Sequence, residues 1–411
     1  MAIDVSFFAG TMRRTRLKYN GALENAVIAQ EASVLPTCAE CQRGVSSPAM
    51  DVLVPPPTKA NSSVVAIRDD WYVVAIAEEL KDKPLPVVLL GTPIVVFRSG
   101  AGIGALLDRC PHRNVPLSLG RVRGTRLECG YHGWQFDNAG QCQHIPGLCG
   151  GAETNKAARN APAFAAREAD GFIWVYGTPN VEPVRDPFAF PHLGDARYST
   201  IRHVVELEGT MHAAAENALD VPHTAFLHRG LFRSEASRKR IGVEVRRYGD
   251  RVEAEYLGEP RPEGVIGRVL APGGGVVKHH DRFILPCIAQ VEYEIGGSSH
   301  VVATTALTPV RDHFTRMFAA VSFKLPFVPN AKLGEIAGRA LKPLALRIVG
   351  QDSVVLRAQT RSVKRFGGEQ FASTELDVLG PHILRLLRQA ERGIRGDADE
   401  LLQTKSLEME V

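Results

Sequence analysis

From Trp71 onward the apolar positions fall into short runs rich in aromatic and β-branched residues. Trp71-Tyr72-Val73-Val74-Ala75, Val87-Val88-Leu89-Leu90 and Ile94-Val95-Val96-Phe97 are separated by Pro or Gly, and Gly171-Phe172-Ile173-Trp174-Val175-Tyr176-Gly177 closes the series. Such runs between turn residues predict strands, so residues 65–180 read as a small antiparallel β domain. Upstream, residues 1–64 have no sustained period and end in Pro55-Pro56-Pro57 and Asn61-Ser62-Ser63, which predicts a poorly ordered tail. Downstream, Pro179, Pro183, Pro187 and Pro191 punctuate a connection. Beyond it, residues 207–220 are Ala-rich and helical in character, 252–308 and Met317–Phe323 read as strands, and 332–361 and 376–395 have helical spacing. Residues 181–411 are therefore expected to form an α+β domain, an extended antiparallel sheet flanked by helices.

Composition narrows the function. The 411 residues are 45% hydrophobic and 23% charged, with a net charge of +4 and no concentrated Lys/Arg run, which leaves no case for a nucleic-acid partner. The longest apolar stretch, Leu85 to Phe97, is interrupted by Gly91 and Pro93 and falls short of the roughly 20 residues a membrane helix needs. Seven cysteines, an odd and sparse set, point to a reducing compartment and a cytoplasmic location. Arg13, Arg14, Arg16 and Lys18 against Asp4 keep an organellar transit segment as the alternative, with Glu24 and Glu31 weighing against it. Cys38 and Cys41 form a Cys-x-x-Cys pair with no second pair to match, and read as ordinary thiols.

Two clusters of metal-ligand residue types stand out. Cys110-Pro111-His112 is followed, after sixteen residues, by Cys129-Gly130-Tyr131-His132. Two thiolates and two imidazoles on separate loops suit a Rieske [2Fe–2S] centre, one iron held by sulfur and the other by nitrogen. A Cys2His2 zinc site is the competitor, though Cys-x-His is an unusual zinc knuckle. Cys142 and Cys149 fall outside the pattern and read as structural thiols. The second cluster is Asp220-x-x-His223-x4-His228. An iron that activates O2 uses two histidines and one carboxylate on one face, leaving positions open. His223 and His228 would be about 140° apart on a regular helix, so the helix must bend or loosen, aided by Pro222. The nearest carboxylate is Asp220, and one from elsewhere in the chain is the alternative.

At these residues the chain resembles the Rieske non-haem iron oxygenases. Arg109-Cys110-Pro111-His112-Arg113 and Cys129-Gly130-Tyr131-His132-Gly133-Trp134-Gln135-Phe136 are similar to that family's cluster loops, and the likeness extends over residues 70–180. Asn217-x-x-Asp220-x-x-His223-x4-His228 resembles its iron motif. The resemblance implies that Cys110, His112, Cys129 and His132 hold the [2Fe–2S] cluster and that His223, His228 and Asp352, within Gln351-Asp352, hold Fe(II). It also implies that Asp220 bridges the Rieske centre of one subunit and the iron of its neighbour in a homotrimer. Asn217 is a further candidate catalytic residue.

The activity implied is that of an oxygenase component using O2 as co-substrate. Electrons would come from a reductase or ferredoxin, because no Gly-x-Gly-x-x-Gly fingerprint follows a strand and NAD(P)H would act only indirectly. Monooxygenation of a small organic substrate, by hydroxylation or oxidative dealkylation, is expected rather than cis-dihydroxylation. The alternative is a Rieske electron-transfer protein without oxygenase activity, which would leave the second half of the chain unexplained. Of the remaining histidines, His212 is expected near the pocket. The run His279-His280-Asp281 reads as solvated, with a substrate-facing role as the other reading.

Overall fold

The computed structural model describes residues 62–148, 156–229, 239–260, 275–326, 328 and 331–410. Residues 1–61, with Cys38, Cys41 and the Arg-bearing N-terminus, and Cys149 lie outside the described residues. Where the described chain begins, Ser63 is buried, its hydroxyl bonded to Thr210 Oγ1 at 2.7 Å and to Glu369 Oε1 at 2.7 Å.

The N-terminal half is built on a six-stranded antiparallel sheet in the order β1-β10-β9-β4-β3-β2. Its strands are β1 (Trp71–Ile76), β2 (Leu85–Leu89), β3 (Thr92–Ser99), β4 (Gly102–Leu107), β9 (Ala163–Ala169) and β10 (Phe172–Pro179). The apolar runs of the sequence become β1, β2, β3 and β10, with Trp71, Ile94 and Phe97 fully buried. Between β4 and β9 sits a four-stranded sheet of short strands, β5 (Arg121–Arg123), β6 (Arg126–Glu128), β7 (Gln135–Phe136) and β8 (Cys142–His144). Its Leu127, Phe136 and Cys142, with Leu117, share a small core with Val95, Phe97 and Leu106 of β3 and β4.

The C-terminal half is an eight-stranded antiparallel sheet in the order β11-β17-β16-β15-β14-β13-β12-β18. The strands are β11 (Ser199–Leu207), β12 (Arg240–Tyr248), β13 (Arg251–Leu257), β14 (Val277–Ile284), β15 (Ile288–Ile295), β16 (Ser299–Arg311), β17 (Phe314–Lys324) and β18 (Leu401–Glu410). Among the described residues four helices accompany it: α1 (Met211–Leu219), α2 (Thr224–Leu227), α3 (Ala331–Arg365) and α4 (Gly380–Glu391). Within the described residues the helix and strand assignments of the sequence hold, but β11, β12 and β18 were not anticipated. The alternation of β18 is masked because nearly every residue in it is exposed along the sheet edge. The two large sheets join where Leu90 N–H and Gly91 N–H donate to the carbonyls of Pro309 and Val310, both at 2.8 Å. Side chains from both sheets, among them Trp71, Phe172 and Phe318, belong to one hydrophobic core.

Strand register creates a cavity. On the face of the large sheet turned toward α1 and α3, cross-strand neighbours are small: Ala289 opposes Thr305, which opposes Ala319, while Val291 opposes Ala303, which opposes Val321. Because side chains alternate faces along a strand, one row of Ala, Val and Thr leaves a hollow that no neighbouring row can fill. The result is a cavity of about 350 Å³ roofed by Ala214, Asn217 and Leu219 of α1 and by Ile348, Val349 and Leu356 of α3. Burial of several aliphatic side chains beside such a void sacrifices packing, which is characteristic of a ligand site.

Candidate active site

The two loops of the first cluster are each closed by backbone hydrogen bonds. Cys110 N–H donates to the Val115 carbonyl at 2.8 Å, and Cys129 N–H to the Trp134 carbonyl at 2.8 Å. Gly133 takes φ +69°, a left-handed conformation that glycine adopts without penalty, to turn the second loop. The cysteines are buried, and the rings of His112 and His132 lie with centroids 4.6 Å apart. Trp134 stacks on His112 at 4.8 Å, nearly parallel. Burial pushes the Cys110 thiol up to about 11, with the neighbouring Cys129 adding to it. His112 Nδ1 is buried with no hydrogen-bond partner. Side-by-side buried sulfurs and an orphaned imidazole nitrogen fit a cationic group that would replace the thiol protons and accept the nitrogen lone pair. Among the described residues, only His223, His228 and Asp352 form a group of three or more donors with atoms all within 4.8 Å of one another. Cys110, His112, Cys129 and His132 thus do not gather on one point as a single zinc ion would require, whereas a two-iron cluster separates its sulfur and nitrogen ends. Cys142 sits in the core beneath, its Sγ 3.9 Å from the His144 carbonyl.

The second cluster forms where the helix breaks. Thr210 caps α1, its Oγ1 accepting from Ala213 N–H at 3.0 Å, and the helix stops at Asp220 before Pro222. The single turn α2 follows, with His223 at its start and His228 at its end. This interruption, expected from the five-residue spacing, turns both rings inward. His223 Nε2 lies 3.3 Å from His228 Nε2, and Asp352 Oδ1 lies 3.6 and 3.2 Å from those two atoms. Asp352 is supplied by α3, more than a hundred residues away. His223 Nδ1 is 3.2 Å from Asp220 Oδ2, at ion-pair distance, but makes no aligned hydrogen bond. His228 Nδ1 pairs with Gln351 Oε1 at 2.9 Å, and Asn217 Nδ2 donates to Asp352 Oδ1 at 3.4 Å. Burial pulls the His223 imidazole down, but the Asp220 and Asp352 carboxylates overcome it and hold it at about 9. Burial likewise raises Asp352, and the two histidines more than reverse this, so its carboxyl lies below the usual range. Two imidazole nitrogens and a carboxylate oxygen converging without other donors between them fit a divalent cation.

Two sequence expectations need correction. His279 and Asp281 are not solvated: both are 1% exposed and line the cavity, because alternation along β14 turns them inward and sends His280 to the other face. His279 Nδ1 is 2.5 Å from Glu259 Oε2 and its Nε2 is 2.9 Å from Asp281 Oδ1. His212 does not line the cavity; its Nε2 pairs with the Gly380 carbonyl at 2.9 Å, fastening α1 to α4. Gln351, which orients His228, was visible in the sequence only as the neighbour of Asp352. Glu259 carried no signal, since its partner is twenty residues away.

Comparison with known proteins agrees with this arrangement. Residues 70–153 match the Rieske [2Fe-2S] domain, and residues 208–393 match the vanillate O-demethylase oxygenase C-terminal domain. The chain is 36% identical over 174 residues to the oxygenase component of dicamba O-demethylase from Stenotrophomonas maltophilia, an alignment covering 41% of this chain. It spans about half the length of that relative, 50%. It is 29% identical over 335 residues to the oxygenase component of chloroacetanilide N-alkylformylase from Rhizorhabdus wittichii, covering 76% of this chain and 91% of that protein. A crystal structure of dicamba monooxygenase bound to dicamba superposes with a TM-score of 0.67 at 27% identity, covering 80% of this chain and 98% of the other. With a Rieske domain followed by this type of catalytic domain, the chain belongs to the Rieske non-haem iron oxygenases.

Proposed function

We propose that this chain is the oxygenase component of a multi-component monooxygenase that hydroxylates or oxidatively dealkylates a small organic substrate. The observation that carries the reading is the convergence of His223, His228 and Asp352 at one wall of an apolar cavity, in a chain that also has Rieske loops. Residues 65–180 serve as the Rieske domain and 181–411 as the catalytic domain. Cys110, His112, Cys129 and His132 hold the cluster, and His223, His228 and Asp352 hold the iron. When bound, the cluster relays single electrons and the iron supplies O2 activation.

The protein's own residues then have separate tasks. Gln351 and Asp220 fix the two imidazoles through their other ring nitrogens, a type of support that raises ligand basicity and fixes ring orientation. Asn217 steadies the Asp352 oxygen. Leu207, Val291, Val301 and Ile348 exclude water and hold the apolar body of the substrate. Asp220 has a side chain 35% exposed, with one oxygen near His223, so it can also meet a histidine from a second subunit. The exposed His132 and Tyr131 offer such a contact. This supports a homotrimer with electron transfer between neighbours, fed by a reductase or ferredoxin that takes electrons from NAD(P)H.

No helix among the described residues is long and apolar enough to cross a membrane. A cytoplasmic location is our reading, and an organellar one with a cleaved N-terminus is the alternative; N-terminal sequencing of the mature protein separates them. Metal analysis with coupled O2 uptake tests the function. Three irons per chain and substrate-stimulated O2 consumption with a surrogate reductase are expected. Two irons and no uptake across a broad substrate panel would leave a Rieske electron carrier instead. Light scattering tests the trimer.

A further inference from the structure

Three spaces adjoin one another along α1, and two carboxyl side chains form the partitions between them. Asp220 lines both the active-site cavity and a small space of about 20 Å³. Glu216, with Gly380, lines that small space and also a pocket of about 540 Å³ beside α4. Phe371, Arg385 and Arg392 of this outer pocket are exposed, so it opens to solvent. A space of about 20 Å³ admits one water molecule. Glu216 and Asp220 are four residues apart, which puts them on one side of the helical turn.

Glu216 has the properties of a proton carrier. Among the described residues no hydrogen bond or ion pair fixes its carboxyl. Its basic neighbours in the outer pocket have other engagements or stand at the rim. His212 pairs with the Gly380 carbonyl, Arg388 donates to the Ser62 carbonyl, and Arg385 and Arg392 are exposed. Burial, with Asp377, Asp220 and Glu369 nearby, raises the Glu216 carboxyl to about 7. A group poised near the working pH releases and regains a proton readily. Those three carboxylates also favour its refilling once the proton has left. Tyr256, which borders the small space, does not compete, because burial holds its hydroxyl well above the usual range. Gly380 makes room for the carboxyl: a Cβ there would collide with it.

Inserting one oxygen atom of O2 into a C–H bond and releasing the other as water takes two electrons and two protons. The Rieske centre carries the electrons. The protons come from solvent, and the aliphatic side chains that line most of the cavity cannot carry them. We propose that Glu216 is the proton-entry residue of this oxygenase, taking protons from the outer pocket beside α4 and handing them to water in the space it shares with Asp220. This rests on the oxygenase reading of the cavity. Each transfer leaves Glu216 ionised until solvent returns a proton through the outer pocket.

Two measurements test the role. The first needs no turnover: infrared difference spectra of the oxidised, metal-replete protein between about pH 6 and about pH 8, in H2O and in D2O. A protonated-carboxyl band should titrate near pH 7, shift promptly in D2O because the outer pocket is open, and vanish in Glu216→Gln. The second is single-turnover product formation by pre-reduced protein with O2 and whichever compound most stimulates O2 uptake. The wild-type rate should fall from about pH 6 to about pH 8 as the protonated donor is lost. Glu216→Gln should be at least about tenfold slower at the lower pH and flat across the range, with cluster absorbance and iron content unchanged. A merely structural role would slow the variant and keep the wild-type pH profile, and that result overturns the proposal. So does a band that survives in the folded variant. If the variant does not fold, the wild type decides: no titrating, solvent-exchanging carboxyl, or a flat rate, overturns the proposal. Absence of substrate-stimulated O2 uptake in the wild type overturns the oxygenase reading and this role with it. Turnover unaffected by Glu216→Gln overturns the role alone.

Discussion

Two histidine–carboxylate clusters line one cavity, and they solve the burial of charge in opposite ways. At His223, His228 and Asp352 the groups point at one another: two imidazole nitrogens are 3.3 Å apart and share one carboxylate oxygen. Each outer nitrogen has a separate neighbour, Asp220 or Gln351. That leaves the inner nitrogens and the shared oxygen directed at a common point, an arrangement that suits a bound divalent cation. At Glu259, His279 and Asp281 the groups alternate in charge, each ring nitrogen has its own carboxylate, and aromatic faces cover both sides. Nothing there awaits a metal. Residue types alone do not distinguish a metal site from an ion-pair network; the direction in which the lone pairs converge does.

The largest effect should come from breaking the first cluster. His228→Ala is expected to keep the visible absorption of the Rieske cluster, drop mononuclear iron well below stoichiometric and reduce product formation to background. Retained iron with turnover would remove His228 from the ligand set. The matching change in the second cluster should behave differently. His279→Leu leaves two buried carboxylates with no cation between them, and breaking such an arrangement costs about 3–5 kcal/mol. Urea unfolding should register that loss while iron content stays at the wild-type level. Loss of mononuclear iron in a folded His279→Leu protein would erase the contrast between the clusters.

A smaller effect is expected where the first cluster meets its support. Asp220→Asn preserves size and removes charge beside His223. Loss of a carboxylate partner to a ligating histidine typically costs about 10–100-fold in affinity or activity. Both metal centres should persist, and cluster reoxidation in the presence of substrate and O2, followed by rapid mixing, should slow within that range. Wild-type rates, or loss of iron here but not in Asp352→Asn, would reverse the roles of the two aspartates.

How much of this was legible in the sequence depends on how local the information was. Cys110, His112, Cys129 and His132 lie on two short loops, and His223 and His228 flank one helical turn, so spacing alone brought them forward. The break at Asp220–Pro222 followed from the same spacing. Asp352 lies far along the chain and entered only through resemblance to a family. The second cluster was misread because inward polarity on a strand depends on what packs against it: Asp281 and His279 alternate with His280 and Arg282, and the run looks solvated until the sheet gives it a face. The cavity was equally hidden, since Ala289, Ala303 and Ala319 become a floor only when β15, β16 and β17 align them.

Glu216 on α1 sharpens the contrast by adding a third solution. It lies in the turn of helix before Asp220, close beneath Gly380, where an added Cβ would come within 1.9 Å of its Oε1. No Lys, Arg or His among the described residues is seen to compensate it. Burial, with Asp377, Asp220 and Glu369 nearby, pushes its carboxyl from 4.5 up to about 7, so a proton supplies the neutrality that iron or imidazolium supplies elsewhere. The folded state therefore binds more protons than the unfolded chain between those two values, and stability falls as pH rises through that window. Glu216→Gln carries the neutral form permanently. It should match the wild type near pH 5 and exceed it at pH 8, by roughly 1–2 kcal/mol after allowing for partial solvent access. Denaturant unfolding at the two pH values gives the difference directly. An equal difference at both would mean that Glu216 is ionised in the folded protein and balanced by a cation, and the third solution would collapse into the second.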